Sequence, residues 1–142
     1  MIIVNQLTEV SDQNIQELEL LSGMLHGDER KSSADEIARI LGNPSIIFVV
    51  AKDSERIIGM GALYIHQKVG KIGSYIEDVI VDSAYRGQGL GKKIVQALID
   101  GARERGVVSI SLTSRPERIA AHTLYEKLGF KKYDTNVFRI TL

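Results

Sequence analysis

The sequence has 142 residues, of which 44% are apolar and 25% charged, and 18 basic side chains balance 18 acidic ones. This favours a single soluble domain over residues 1–142 and excludes a disordered or fibrous chain. A net charge of zero argues against nucleic acid or a membrane as partner. The lack of cysteine excludes disulfides, thiolate nucleophiles and cysteine-ligated zinc. We expect a cytoplasmic protein, because the first residues do not resemble a signal peptide.

The N-terminal part of the chain is predicted to form one strand and two helices. In chain order they cover residues 1–7, 11–25 and 33–42. Ser11 or Asp12 can cap the first helix, and Ser33 with Glu36 has the pattern of a capping box at the start of the second. A polar loop over residues 26–32 is expected between the two helices.

The middle of the chain is predicted to form an antiparallel meander. Three strand-like runs cover residues 46–52, 56–67 and 71–82, and three residues separate each run from the next. Since separations of this length are typical of hairpins, neighbouring strands should be antiparallel.

The last third of the chain is predicted to form a helix, a strand, a second helix and two short strands. The first helix has an apolar stripe over residues 90–102, and an alternating strand follows over 107–113. The second helix begins at Ser114 and ends at Gly129, and the two short strands lie within 130–142. The fold class is therefore mixed α+β, a mostly antiparallel central sheet flanked by four helices.

The helix predicted near Leu90 differs from the other three at its start. The other three begin with Ser or Asp, which can accept hydrogen bonds from the unpaired N–H groups of a first turn. Here the start has three glycines and three cations, in the run Arg86-Gly87-Gln88-Gly89-Leu90-Gly91-Lys92-Lys93. Positive charge at this end of a helix costs roughly 0.3–1 kcal/mol per group. Each glycine also costs up to about 1 kcal/mol relative to alanine if it falls within the helix. A run that has both penalties indicates an anion site, because bare glycines let backbone N–H groups approach an anion and the cations complete the site.

Two well-known phosphate-binding loops do not fit this run. A nucleoside triphosphate loop would need glycine in place of Arg86 and a hydroxyl in place of Lys93. A dinucleotide loop that begins at Gly87 would need glycine in place of Lys92, and a parallel βαβ unit around it.

The chain instead resembles small single-domain members, of bacterial type, of the GNAT superfamily of acyl-coenzyme A N-acyltransferases. Arg86, Gly89 and Gly91 fill the Arg/Gln-x-x-Gly-x-Gly/Ala pyrophosphate motif of that family in order. Downstream, Leu124-Tyr125-Glu126-Lys127-Leu128-Gly129-Phe130 matches the usual end of its next-to-last helix. One departure is Arg118, which stands where many members have Asn, so contacts of that Asn are not carried over.

The resemblance implies that acetyl-coenzyme A is the co-substrate, and we expect no metal. Its pyrophosphate would bind the N–H groups near Arg86, and its pantetheine arm would pair with the strand that precedes them. One of the N–H groups of that strand could polarise the thioester carbonyl. The implied coenzyme-binding residues are Val79, Ile80, Val81, Arg86, Gly87, Gln88, Gly89, Leu90, Gly91 and Lys92.

The implied reaction is direct attack of a primary amine, small-molecule or protein-borne, on the thioester in a ternary complex. The family motif selects Tyr125 as the group that stabilises the leaving thiolate. Glu77 and Asp78 stand in a run that otherwise reads as a buried strand, where a carboxylate could act as base. Alternation places Glu77 on the face of Val79 and Val81, with Asp78 on the other. Glu77 is favoured as the base, and Asp78 remains an alternative.

Three further points stay open at the level of sequence. A domain that binds acyl-coenzyme A without turnover, as a sensor or interaction partner, is the alternative to an enzyme. The acceptor amine has no recognisable motif. Dimers are frequent in the family, so the resemblance is compatible with a homodimer. His26, His66 and His122 are too far apart in sequence to suggest a metal site.

Overall fold

The computed structural model describes residues 1–27 and 32–142. A short 3-10 turn covers Ser83–Tyr85. The helices and strands, in chain order, are β1 (Ile2–Gln6), α1 (Asp12–His26), α2 (Ala34–Leu41), β2 (Ile46–Asp53), β3 (Arg56–Lys68), β4 (Lys71–Val81), α3 (Leu90–Glu104), β5 (Ser109–Ser111) and α4 (Ile119–Lys127).

The five strands form one sheet in the order β1-β2-β3-β4-β5. Strands β1 to β4 are antiparallel neighbours, as the hairpin-length separations predict, and β5 pairs parallel with β4. One face of the sheet is covered by α3, whose buried side chains Leu90, Ile94, Val95, Leu98, Ile99 and Ala102 are the predicted apolar stripe. The other face packs against Leu18 and Leu21 of α1 and Ile37 of α2. The predicted mixed α+β class with four flanking helices is confirmed.

The caps of the first two helices are those expected from the sequence. The Ser11 side chain accepts a hydrogen bond from the Asn14 N–H at 3.1 Å and so begins α1. Ser33 and Glu36 form a complete capping box at the start of α2, with both hydrogen bonds present. Local polar side chains therefore decide where both helices begin.

Four predictions about the extent of helices and strands differ from the structure. His26 belongs to α1 rather than to the loop expected over residues 26–32, of which 28–31 lie outside the described residues. The last helix begins at Ile119 instead of Ser114, because Arg118 occupies the N-cap position and residues 116–117 form a turn. Residues 130–142 form neither of the two strands expected there, since none of their backbone groups joins the sheet. Of the strand expected over residues 107–113, only the central three residues form a strand, β5.

Gly61 in β3 allows α3 to approach the sheet closely. A Cβ at this position would lie 2.7 Å from Ile94 Cγ2 and 3.2 Å from Leu98 Cδ1, and both of those side chains are fully buried. We expect Gly61→Ala to lower the free energy of unfolding by about 1–3 kcal/mol, as overpacking of a core does. Urea denaturation measures this change in the free energy of unfolding. In combination with Ile94→Ala, which removes the clashing methyl group, the loss should be smaller than the sum of the two single losses; additive losses would contradict this origin.

Candidate functional site

The turn that leads into α3 exposes a row of unpaired backbone N–H groups. Gly87 and Gly89 have φ values of 78° and 75°, in the left-handed region that glycine adopts without strain. Among the described residues, no carbonyl or side-chain oxygen accepts a hydrogen bond from the amides of residues 87–92. A Cβ at Gly87 or Gly89 would meet nothing within 4 Å, so the space beside these amides is open.

The charge at this turn suits an anion. The first turn of α3 has no acidic residue and no side-chain cap, and its two lysines, Lys92 and Lys93, are exposed. The exposed Arg86 donates from Nε to the Val81 carbonyl at 3.2 Å, which keeps its guanidinium beside the turn. Because α4 also lacks a side-chain cap, the missing cap alone does not single out α3. What distinguishes the start of α3 is the combination of left-handed glycines, open amides and cations.

A polar network holds this turn against the sheet. Asp82, which is 8% exposed, accepts from the Ala84 N–H at 2.9 Å through Oδ1 and pairs with Arg56 at 3.2 Å through Oδ2. The Tyr85 hydroxyl donates to Asp53 at 3.0 Å. The Asp82–Arg56 ion pair and the Tyr85–Asp53 hydrogen bond both connect the turn to the β2–β3 hairpin. That hairpin therefore sets the position of the open amides.

We expect Arg56→Gln to raise the KM for acetyl-coenzyme A, the co-substrate that the sequence resemblance implies, several-fold with little change in kcat. The substitution removes the ion pair that positions the turn but leaves Asp82 bound to the Ala84 amide. Steady-state kinetics measures KM and kcat separately. Arg103→Gln, which removes the exposed Arg103–Asp100 pair on α3, is the matched control and should change neither constant. A lower kcat with an unchanged KM would contradict a positioning role for Arg56.

A β-bulge interrupts β4 beside the turn. Glu77 pairs with Ala62 and Ile80 with Met60, so Asp78 and Val79 together stand opposite Gly61. Asp78 has a φ of 59°, which is unusual for a residue other than glycine. Bulges are frequent beside active sites, where they redirect side chains and backbone groups.

The bulge makes the predicted alternation wrong. The extra residue places Glu77 on the face of Ile80, toward α1 and α2, whereas Val79 and Val81 pack with α3. Glu77 is also exposed, not buried as the apolar run suggested. No pattern in the sequence marks a bulge, since it depends on pairing with Gly61.

Strands β4 and β5 pair over a short stretch and then separate. Only Gly73, Ser74 and Tyr75 of β4 have partners in β5. Beyond Tyr75, the edge of β4 that faces away from β3 has no strand neighbour in the part of the chain that the structure describes. The backbone of Val79, Ile80 and Val81 therefore lies in the part of β4 where an extended ligand could pair, next to the open amides.

Tyr125 lies in α4, close to the same region. Leu124, its neighbour in α4, stands 3.4 Å from where a Cβ of Gly91 would be, which places α4 against the first turn of α3. The Tyr125 ring contacts Phe130 edge to face, with centroids 5.7 Å apart. Burial raises the pKa of Tyr125, an effect that Arg118 partly opposes, so this phenol stays protonated at neutral pH.

Polar side chains gather on the other side of the bulge, between β4 and α1. His26 Nε2 lies 3.6 Å from Asp78 Oδ1, and Asp78 lines a cavity of about 70 Å³ between α1, α2 and the sheet. Burial, with the nearby charges of Asp78 and Glu77, raises the pKa of Tyr64. Neither His26 nor Tyr64 was predicted at the site, because only the packing of α1 on the sheet and the β3–β4 pairing bring them there.

His66, in β3, packs against aromatic and backbone neighbours in the sheet. His66 stacks on Tyr75 with ring centroids 5.0 Å apart, and its buried Nε2 has no hydrogen-bond partner among the described residues. The same nitrogen would lie 2.7 Å from a Cβ at Gly73. In residues 1–27 and 32–142, no group of three or more His, Asp or Glu side chains could hold a metal ion, and no helix is long and apolar enough to cross a membrane.

Curated relatives of this chain include two plant proteins. It is 34% identical over 131 residues to a glucosamine 6-phosphate N-acetyltransferase of Arabidopsis thaliana, a match that covers 85% of each chain. It is 38% identical over 97 residues to a probable glucosamine 6-phosphate N-acetyltransferase 2 of Oryza sativa subsp. japonica, covering 63% of this chain. The chain matches little more than half of that rice protein, namely 56% of its length.

Solved structures share the fold over the whole chain. The crystal structure of glucosamine-6-phosphate N-acetyltransferase from Arabidopsis thaliana has a TM-score of 0.78 and 25% identity, covering 99% of this chain and 98% of the other. An acetyltransferase of Trypanosoma brucei has a TM-score of 0.79 and 29% identity over the full length of both chains. The model of the acetyltransferase (GNAT) family matches residues 13–130. The chain therefore belongs to the acetyltransferase (GNAT) family, as its motifs indicated.

Proposed function

We propose that this chain transfers an acetyl group from acetyl-coenzyme A to a primary amine. The observation that carries the proposal is the row of open amides at residues 87–92, beside the bulged, partly unpaired strand β4. The named relatives, which are N-acetyltransferases, support the same activity. Acetyl-coenzyme A supplies an activated thioester. The residues of the chain bind and orient the two substrates and exchange protons with them.

Each group at the site has a task in this reaction. The open amides and Arg86 bind the pyrophosphate, and a backbone N–H of Val79, Ile80 or Val81 polarises the thioester carbonyl. The amine nitrogen forms a bond to the carbonyl carbon, and the carbon–sulfur bond breaks. The proton lost by the amine passes to a carboxylate or its water, and the thiolate is stabilised by the Tyr125 hydroxyl.

Asp78 and Glu77 are the two candidates for the base. Glu77 was favoured from alternation, an assumption that the bulge removes. Asp78 is partly buried, lines the cavity and lies 3.6 Å from His26, so the structure adds support to Asp78. Asp78→Asn and Glu77→Gln are matched isosteric changes. We expect the base variant to lose kcat/KM at neutral pH and to regain part of it as pH rises, because more of the amine is then unprotonated.

The acceptor is tested by following free thiol release with a panel of amines. Glucosamine 6-phosphate is the first compound to test, since the named plant relatives are glucosamine 6-phosphate N-acetyltransferases. Glucosamine and a peptide with a free N-terminus separate the need for the phosphate from the need for the sugar. Release of thiol with one of these amines supports the proposal. Tight binding of acetyl-coenzyme A without release, for any amine of an unbiased screen, would favour the non-catalytic binding domain.

A further inference from the structure

His26 lies in the last turn of α1, where the end of the helix fixes its position. Gly27 ends α1 in a left-handed conformation with a φ of 65°, and its N–H donates to the Gly23 carbonyl at 2.9 Å. Leu18 and Leu21 of the same helix are buried in the core between α1 and the sheet. The imidazole therefore extends from an anchored helix end rather than from a loop.

The side of α1 that includes His26 faces the bulge in β4. Ser22 precedes His26 by one helical turn, so the two side chains lie on the same face of α1. Ser22 and Asp78 line the same cavity, and His26 Nε2 lies 3.6 Å from Asp78 Oδ1. Both residues of this helix face therefore lie beside the same carboxylate.

The bulge turns the Asp78 carboxylate toward α1. In a regular strand, Glu77 and Asp78 would point to opposite faces of the sheet. Glu77 pairs with Ala62, which packs on the side of α1 and α2, and Asp78 lines the cavity on that same side. The φ of 59° at Asp78 accounts for this change of direction. Strained backbone of this kind is concentrated at functional sites.

We propose that His26 is a positioning residue for the reaction, and that it acts by holding the Asp78 carboxylate as the base. This inference rests on the proposed acetyl transfer. His26 contacts Oδ1, which leaves Oδ2 to take the proton of the amine, directly or through water, as the nitrogen–carbon bond forms. Because Asp78 is partly exposed, the proton then passes to solvent. An imidazole can donate from Nε2, and a base oriented by a third group is a recurrent catalytic arrangement.

The contact between His26 and Asp78 is suited to positioning rather than to stabilising the fold. The two side chains are 41% and 35% exposed, and exposed ion pairs contribute little to stability. At 3.6 Å the two atoms are just beyond hydrogen-bond distance. Hydrogen bonds of catalytic groups often tighten only when substrate binds. Replacement of His26 should therefore lower turnover and leave the protein folded.

His26→Leu tests this role in steady-state measurements of thiol release. We expect kcat to fall about ten-fold, a fraction of what a general base contributes, with an unchanged KM for acetyl-coenzyme A. His26→Gln, which returns an amide donor near Oδ1, should recover most of the loss. Gln16→Leu makes the same replacement at an exposed position of α1 and should have no effect. Circular dichroism shows whether each variant is folded.

A double-mutant cycle separates positioning from a general effect on α1. Because His26 acts through Asp78, His26→Leu should cause no further loss of kcat in the Asp78→Asn protein. In the Glu77→Gln protein it should still cause its full loss. A kcat that His26→Leu leaves unchanged, or losses that multiply in the cycle with Asp78, would overturn this role but not the acetyl transfer.

The pair itself can be measured without turnover, by NMR correlation of the ring protons and nitrogens of His26. We expect these resonances to shift more in Asp78→Asn than in Glu77→Gln, and equal shifts would overturn the pairing. A chain that shows the pairing but releases no thiol with any amine would overturn the proposed function, and the role of His26 with it. Turnover that does not respond to His26 overturns the role alone.

Discussion

Gly89→Asp is expected to abolish binding of acetyl-coenzyme A while the protein stays folded. Gly89 has a left-handed backbone with open space around it, and Asp is one of the few other residues that adopt this conformation. An Asp at the N-cap of α3 would accept hydrogen bonds from the open amides and place a negative charge where the pyrophosphate binds. Juxtaposed like charges cost several kcal/mol, so the dissociation constant should rise about 100-fold or more.

Two control variants separate charge from backbone effects in this experiment. Gly106→Asp makes the same substitution at a glycine with a φ of 73° and open space, at the opposite end of α3, and should leave binding unchanged. Gly89→Asn keeps the shape of the new side chain without its charge, so it should weaken binding less. Titration calorimetry measures the constants. A normal dissociation constant for a folded Gly89→Asp protein would remove the open amides from the coenzyme site.

Tyr125→Phe is expected to lower kcat about ten-fold or more and to leave the affinity for acetyl-coenzyme A nearly unchanged. An interaction made only in the transition state has this effect on the kinetics. The thiol has a pKa near ~8.5 and an ordinary phenol near ~10, so full proton transfer from the phenol is uphill by about 2 kcal/mol. Because burial raises the pKa of Tyr125, we expect this phenol to act mainly as a hydrogen-bond donor to the thiolate.

The pH dependence follows from the direction of that shift. A donor with a raised pKa stays protonated up to a pH above the ordinary phenol value, and the activity it supports is lost as pH rises through the raised pKa. No loss of kcat from Tyr125 is therefore expected between pH 7 and about 10. Tyr133→Phe removes the hydroxyl of an exposed tyrosine outside α4 and is the matched control. Unchanged turnover in Tyr125→Phe would remove Tyr125 from the mechanism.

The site was predictable from the sequence where a local rule decides the structure. Two left-handed glycines, the absence of a capping side chain and the surrounding cations are all properties of one short run, Arg86 to Lys93. The motif around Tyr125 is likewise local. The roles of these residues remain predictions until variants are measured, but the open amides that they imply are present.

The surroundings of the bulge were not predictable in the same way. Alternation assumes an uninterrupted strand, and it failed at Asp78, where two residues of β4 stand opposite Gly61. The approach of His26 to Asp78 joins residues 52 positions apart and depends on how α1 packs across the sheet. Residues 130–142 alternate as a strand, yet alternation does not say whether any sheet edge provides a hydrogen-bond partner, and the structure shows no strand there.

By itself the sequence determined the mixed α+β class, the apolar stripe of α3, the caps at Ser11 and Ser33 and the open start of α3. Each of these depends on side chains within a few turns of one another. Tertiary structure alone decided the bulge at Asp78 and Val79, the pair formed by Asp78 and His26, and the uncovered edge of β5. These features arise where separate segments meet, and the register and packing between segments depend on the whole chain rather than on any local pattern.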